Sequence, residues 1–475
     1  MSIDTIIHLE NGRLADDTPF TAVNNMVTAA VNNGHVVIHF HGGLVSEDKG
    51  RQKAARLTQV YQHAGAYPLF PVWESGLLET LKNNFDQLGR ELFFKFILKR
   101  VVAIVKRKLM QSEGERSANI LPALVPEIEA RSETQFNVHT IQPLSQTEVM
   151  VLEMELQQDP ELHQIAQSLS ADLADTTTTG ARSGQTELSA SETLMDPASM
   201  DKLVDRPDPS ARGIVSTAKL AKAVITVTTR TIMRYLNNRD HGLHATIVEE
   251  ILREFYLANI GASIWKQMKG DTLGSFGENP ERFGGTAILT VLKQHIENGT
   301  TPKITLIGHS AGAIFAAYFL KHAAQKLPEN IKFNLILLAP AITFELAAQT
   351  LIPYQQRIQG LRIFTMTDDN EQANSLIPVL YPHSLLYFVS GVVETEADMP
   401  LLGMQRYYDN AQYSAEKFGR VETLRQFINS NNQNIIWSRN TGLGPGLETE
   451  ALKHGDFDND PKTLASIQHI LQHGF

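Results

Sequence analysis

Residues 303–320 read KITLIGHSAGAIFAAYFL. An unbroken apolar run enters Gly308-His309-Ser310-Ala311-Gly312, and an alanine-rich run leaves it. A continuous apolar run suits a strand buried on both faces, which is the habit of parallel sheets. The run after it suits a helix. Small residues on both sides of Ser310 let strand and helix approach without a Cβ collision. A chain that must pass from buried strand to helix through so short a turn is committed to an α/β architecture.

The flanking sequence repeats that rhythm. His35–Phe40 and Tyr67–Trp73 read as strands, with a helix over 47–64 between them. After the Ser310 turn, strands are expected at 333–338, 361–366 and 433–438, with helices over 311–325 and 343–359. A helix over 282–297 precedes the turn. Alternating strands and helices imply a mostly parallel sheet with right-handed crossovers. Between 77 and 276 only helices are expected: 83–110, 214–236 and 245–269. The segment 168–213 is polar and poor in aromatics, and it reads as a flexible linker. The division is therefore a discontinuous core, 1–76 with 277–475, and a helical cap or insertion, 77–276.

Composition narrows the chemistry. The chain has 475 residues and no cysteine, which excludes disulfides, thiolate catalysis and cysteine-held metals. Its formal net charge of −10 argues against bulk nucleic-acid binding, which wants a basic face. There is no H-E-x-x-H, no Walker-type loop and no G-x-G-x-x-G opening a helix, so neither a metal nor a cofactor is expected. The start of the chain lacks a basic, long apolar leader, and no uncharged apolar run reaches the roughly 18 residues that span a bilayer. These features suit a cytoplasmic protein.

The segment around Ser310 is a G-x-S-x-G in its proper context, a strand leading in and a helix leading out. The sharp turn strains the serine, and the helix N-terminus offers free N–H groups and its dipole to a developing oxyanion. These residues resemble the α/β-hydrolase family, in particular its esterase and lipase branch. The resemblance covers 1–76 and about 277–475. It implies an α/β-hydrolase fold, a mostly parallel sheet flanked by helices, and Ser310 as nucleophile. The loop His39-Phe40-His41-Gly42-Gly43-Leu44 stands where the family carries an HGG-type motif. Carried over, Gly43 or Leu44 supplies one oxyanion N–H and Ala311 the other, with His41 structural. The family's order of serine, acid, histidine points to His454 as base, ahead of His469 and His473. It points to Asp368 as acid, with Asp369 a close alternative and Glu371 a weaker one. An ester is the expected substrate. An amidase or peptidase on the same residues, or a non-catalytic binding protein on the same fold, stays open.

Within the insertion, residues 91–110 read ELFFKFILKRVVAIVKRKLM. Lys95, Lys99 and Lys106 share one helical face, and Phe93, Phe94, Ile97, Leu98, Val101, Ile104 and Val105 the other. The favoured reading is a cap helix packed on other cap helices. The alternative is peripheral membrane contact, which would make the substrate a lipid ester rather than a small molecule. Oligomeric state is not legible.

Overall fold

The computed structural model describes residues 5–42, 47–73, 77–110, 194–196, 198–199, 203–205, 214–378, 380–408 and 415–475, with isolated positions between 154 and 164. Most of the expected 168–213 linker lies outside the described residues.

The strands are β1 (Ile6–Glu10), β2 (Arg13–Leu14), β3 (His35–Phe40), β4 (Tyr67–Trp73), β5 (Val204–Asp205), β6 (Ile214–Val215), β7 (Lys303–His309), β8 (Phe333–Leu338), β9 (Ile358–Met366) and β10 (Ile435–Ser438). Eight of them form one sheet in the order β10-β9-β8-β7-β3-β4-β1-β2. Every pairing is parallel except β1 with β2. The α/β expectation is met at this level. The β1–β2 hairpin was not anticipated. Nor was the small β5–β6 ribbon inside the stretch expected to be purely helical.

Strand side chains alternate between the two faces of the sheet. Val36, Ile38 and Phe40 of β3, with Ile304 and Leu306 of β7, join one apolar cluster. Val37 and Ile307 point the other way and join a second. Helices Glu47–His63 and Pro461–His473 cover the second face through Ala54, Leu57, Tyr61, Ile467 and Ile470. Helices Phe20–Asn32, Gly284–Glu297, Gly312–Lys326 and Phe344–Leu351 cover the first.

Three long helices expected from periodicity are interrupted. Residues 77–110 form two helices, Leu77–Leu88 and Leu92–Met110, because Gly89 closes the first. The stretch 243–274 breaks at a π-type segment, Ala258–Ala262, where Gly261 takes φ +105°. Helix 343–359 stops as an α-helix at Leu351, ahead of Pro353, and finishes as a 3₁₀ segment.

The described helices of the insertion are not a separate layer. Phe85, Phe94, Ile97, Val224, Ile247 and Tyr256 belong to the same apolar cluster as Phe315 and Phe319 of the sheet-covering helix. Leu92–Met110 buries Phe93, Phe94, Ile97, Val101, Ile104 and Val105, with Phe93 against Phe255 and Phe94 against Tyr256. Lys95, Lys99 and Lys106 face outward. The apolar face that a membrane would need is thus covered from within. Among the described residues no helix is long and apolar enough to cross a membrane.

Candidate active site

The turn at Ser310 forms because two glycines leave room for it. A Cβ on Gly308 would stand 2.7 Å from the Ala313 Cα, and a Cβ on Gly312 would collide with the Phe40 carbonyl oxygen. Ser310 itself lies at φ +54°, a left-handed conformation that a side-chain-bearing residue rarely takes. Its backbone is fixed on both sides. The N–H donates to the Leu338 carbonyl at 2.9 Å, and its carbonyl accepts from Ala313 at 3.1 Å and Ala341 at 3.0 Å. Ala311 is the N-cap of helix Gly312–Lys326, so its N–H sits among donors the helix itself does not use.

Register brings the glycine loop alongside. Phe40 pairs with Gly308, so Gly42 falls opposite Ser310, and a Cβ there would come within 3.2 Å of the serine Cβ. His41 braces this approach. Its Nδ1 donates to the Gly42 carbonyl at 2.8 Å, and its Nε2 accepts from the Trp73 N–H at 3.1 Å. Its ring stacks on Trp73 with centroids 4.2 Å apart. Burial pushes this imidazole down to about 4, which keeps Nε2 free to accept. His41 is a bracket between β3 and β4. Gly43 and Leu44 lie outside the described residues.

Ser310 and His454 meet. The His454 Nε2 stands 2.8 Å from the serine Oγ, although 144 positions separate them in sequence. His454 lies in the loop between β10 and the last helix. That loop is fastened by Ser438 Oγ donating to the Ala451 carbonyl, by an Asn440–Thr449 bridge, and by Asp460 capping the helix at Thr463. Both Ser310 and His454 are buried, at 2% and 5% exposure. Burial pushes His454 down to about 3, with the charges of His309 and Lys53 adding to the effect. The imidazole is therefore neutral at ordinary pH, the state a base requires. His469 and His473 stack on each other along the last helix instead, with centroids 4.7 Å apart.

The expected acid is placed elsewhere. Thr367 caps the short helix Asp368–Ala373, which puts Asp368 in the first helical turn. Its carboxylate accepts from the Tyr387 hydroxyl at 2.7 Å and from Gln372 at 2.8 Å. No bond joins it to His454, whose buried Nδ1 has no hydrogen-bond partner among the described residues. Asp369 is exposed. Glu371 is fully buried, and burial pushes its carboxyl up to about 8. The assignment of Asp368 as the group that orients the imidazole is not carried by these contacts.

Sequence reasoning missed a second buried group. His309 Nδ1 lies 3.1 Å from Asp458 Oδ2, and His309 Nε2 lies 3.0 Å from the His454 carbonyl. Lys53 Nζ donates to the same Asp458 oxygen at 2.6 Å, and Arg56 donates to the Asp458 carbonyl at 2.9 Å. Burial alone would raise the Asp458 carboxyl, but His309 and Lys53 hold it well below the usual carboxylate range. The only sequence signal was a polar residue placed between an apolar strand and Ser310.

Among the described residues no group of three His, Asp or Glu side chains is arranged to hold a metal ion. No protein-family model matches the chain, and neither a curated protein nor a solved structure matches it.

Proposed function

We propose that this chain is a serine hydrolase on an α/β-hydrolase fold, acting on a carboxylic ester of a small molecule or lipid through an acyl-enzyme. The observation that carries the reading is the 2.8 Å contact between the His454 Nε2 and the Oγ of a serine held at φ +54° on a strand-to-helix turn. A hydroxyl is a weak nucleophile at neutral pH, and a neutral imidazole in hydrogen-bond reach activates it. His454 takes the Oγ proton as the oxygen attacks the acyl carbon, then gives it to the departing alcohol. Water enters by the reverse exchange. The Ala311 N–H, at the positive end of its helix, suits the developing oxyanion. Gly43 or Leu44 is assigned the second donor, since the loop that bears them follows the glycine packed against Ser310.

A fluorophosphonate probe should label the wild-type chain, and Ser310→Ala should abolish labelling. Ester turnover should fall by at least roughly 10⁴-fold, as when the nucleophile of comparable enzymes is removed. Labelling that survives in the variant would refute the assignment. A panel of p-nitrophenyl esters against matched amides separates the esterase from the amidase reading.

One observation favours a second reading. Among the described residues no carboxylate bonds the buried His454 Nδ1 to stabilise an imidazolium. A chain that kept the turn for its architecture while losing turnover would show the same vacancy. Such a protein would bind ligand without reacting with the probe.

A further inference from the structure

We infer that His309, the residue before the nucleophile, is the positioning residue of the base: anchored on Asp458, it grips the His454 backbone carbonyl and so aims Nε2 at Ser310. The inference rests on the Ser310–His454 reading and adds to it how the base is held. In a serine, histidine and carboxylate set, the acid grips the imidazole through Nδ1. Here, among the described residues, that atom has no partner, and the hold that the structure does show comes through the backbone.

The protons on His309 follow from its partners. A carbonyl oxygen cannot donate, so Nε2, at 3.0 Å from the His454 carbonyl, carries a proton. An ionised carboxylate cannot donate either, so Nδ1, at 3.1 Å from Asp458, carries the other. Both ring nitrogens of His309 thus face acceptors, and Lys53 shares the Asp458 carboxylate at 2.6 Å. The groups facing the His454 ring are His309 from β7, Lys53 from helix Glu47–His63 and Asp458 from its own loop. The rings of His309 and His454 lie 5.7 Å apart at their centroids.

Burying an ion pair is seldom the cheapest route to stability, because desolvation consumes most of the attraction. Here His309 directs one of its two hydrogen bonds to the His454 carbonyl. Displacing a catalytic group by about 1 Å can cost on the order of 100-fold in rate.

The test is His309→Gln, read by three measurements: kcat and KM on a soluble p-nitrophenyl ester, the rate of fluorophosphonate labelling, and the pH profile of kcat/KM. Circular dichroism confirms folding. Expected are a fall of roughly 10–100-fold in kcat and in labelling rate, with KM held within about two-fold. The acid limb of kcat/KM should also move to higher pH. His309 helps hold the His454 imidazole below its ordinary value, so its removal makes His454 easier to protonate and the base is lost earlier as pH falls. A folded variant with wild-type kcat overturns the inference. So does a slower variant whose acid limb stays in place, since mere loosening of the loop would not move it. If His309→Gln does not fold, Lys53→Met decides by the same readouts, with a smaller fall and the same direction of shift. If the wild-type chain is not labelled at all, the hydrolase reading fails and takes this inference with it. Labelling of wild type and His309→Gln at equal rates sinks the inference alone.

Discussion

At the scale of single residues, the turn around Ser310 was readable because its requirements are steric. Gly308 and Gly312 stand where any side chain would strike Ala313 or Phe40, and the five-residue pattern records that directly. The nearness of His454 to Ser310 was anticipated through the resemblance, whose order of serine, acid and histidine points past β10. The partners of Asp368 were not, because a carboxylate's partner is chosen by tertiary packing that no local pattern encodes. Its oxygens are taken by Tyr387 and Gln372, and Tyr387 is fully buried. Asp368→Asn should therefore reduce kcat by less than about 10-fold, where loss of a triad acid costs on the order of 10⁴-fold. A fall of 10³-fold or more, measured on the same ester, would restore Asp368 as the group that orients His454.

At the scale of elements, strands were more legible than helices. Buried parallel strands announce themselves as short apolar runs: β3, β4 and β8 match their expected bounds, and β7, expected over 303–307, runs two residues further to His309. Helix interruptions at Gly89 and Gly261 were passed over because the apolar period resumes beyond each. The β1–β2 hairpin was missed because β2 is only two residues long. Leu92–Met110 shows why an amphipathic pattern alone does not distinguish a membrane surface from a protein interior. Both need an apolar face beside a charged one, and only the packing partner differs. Here Phe255 and Tyr256 supply that partner. The chain should therefore not float with anionic liposomes at low or high salt. Salt-sensitive flotation, lost when Lys95, Lys99 and Lys106 are changed to Glu, would show that the face becomes exposed and would restore the lipid-surface reading.

At the scale of the whole molecule, the stretch between β4 and β7 is tied to the rest of the chain by charge as well as by apolar packing. His241 stands between Glu249 at 2.7 Å and Asp398 at 3.0 Å. Arg239 donates to Asp398 at 2.9 Å, and Arg234 pairs with Glu249 at 2.6 Å. Burial alone would raise both carboxyls. The cations around them instead hold Asp398 far below its ordinary value and bring Glu249 down to about 2. A carboxyl depressed by folding adds stability that is whole above its unfolded value and drains away as pH falls towards the folded one. The thermal midpoint should thus drop below about pH 4, in the window between roughly 4.5 and 2 that the Glu249 shift defines. Asp398→Ala should cost about 3–5 kcal/mol at neutral pH, because it strands buried cations. A neutral-pH midpoint unchanged by that substitution would mean that the network contributes little to holding the two parts together. The insertion also imposes a schedule on synthesis. His35 of β3 bonds to Thr305 of β7 at 3.0 Å, across 270 positions of chain. At roughly 5–20 residues per second, a ribosome finishes β3 tens of seconds before it makes the strand that covers β3's free edge. Through that interval an apolar edge, Val36–Phe40, waits unpaired, as the kind of template on which nascent chains stick to one another. The pairing of β3 with β7 at the sheet's centre, and with it the whole β8-β9-β10 side, waits until the stretch between β4 and β7 has been made, so the length of that stretch sets how long the edge stays open.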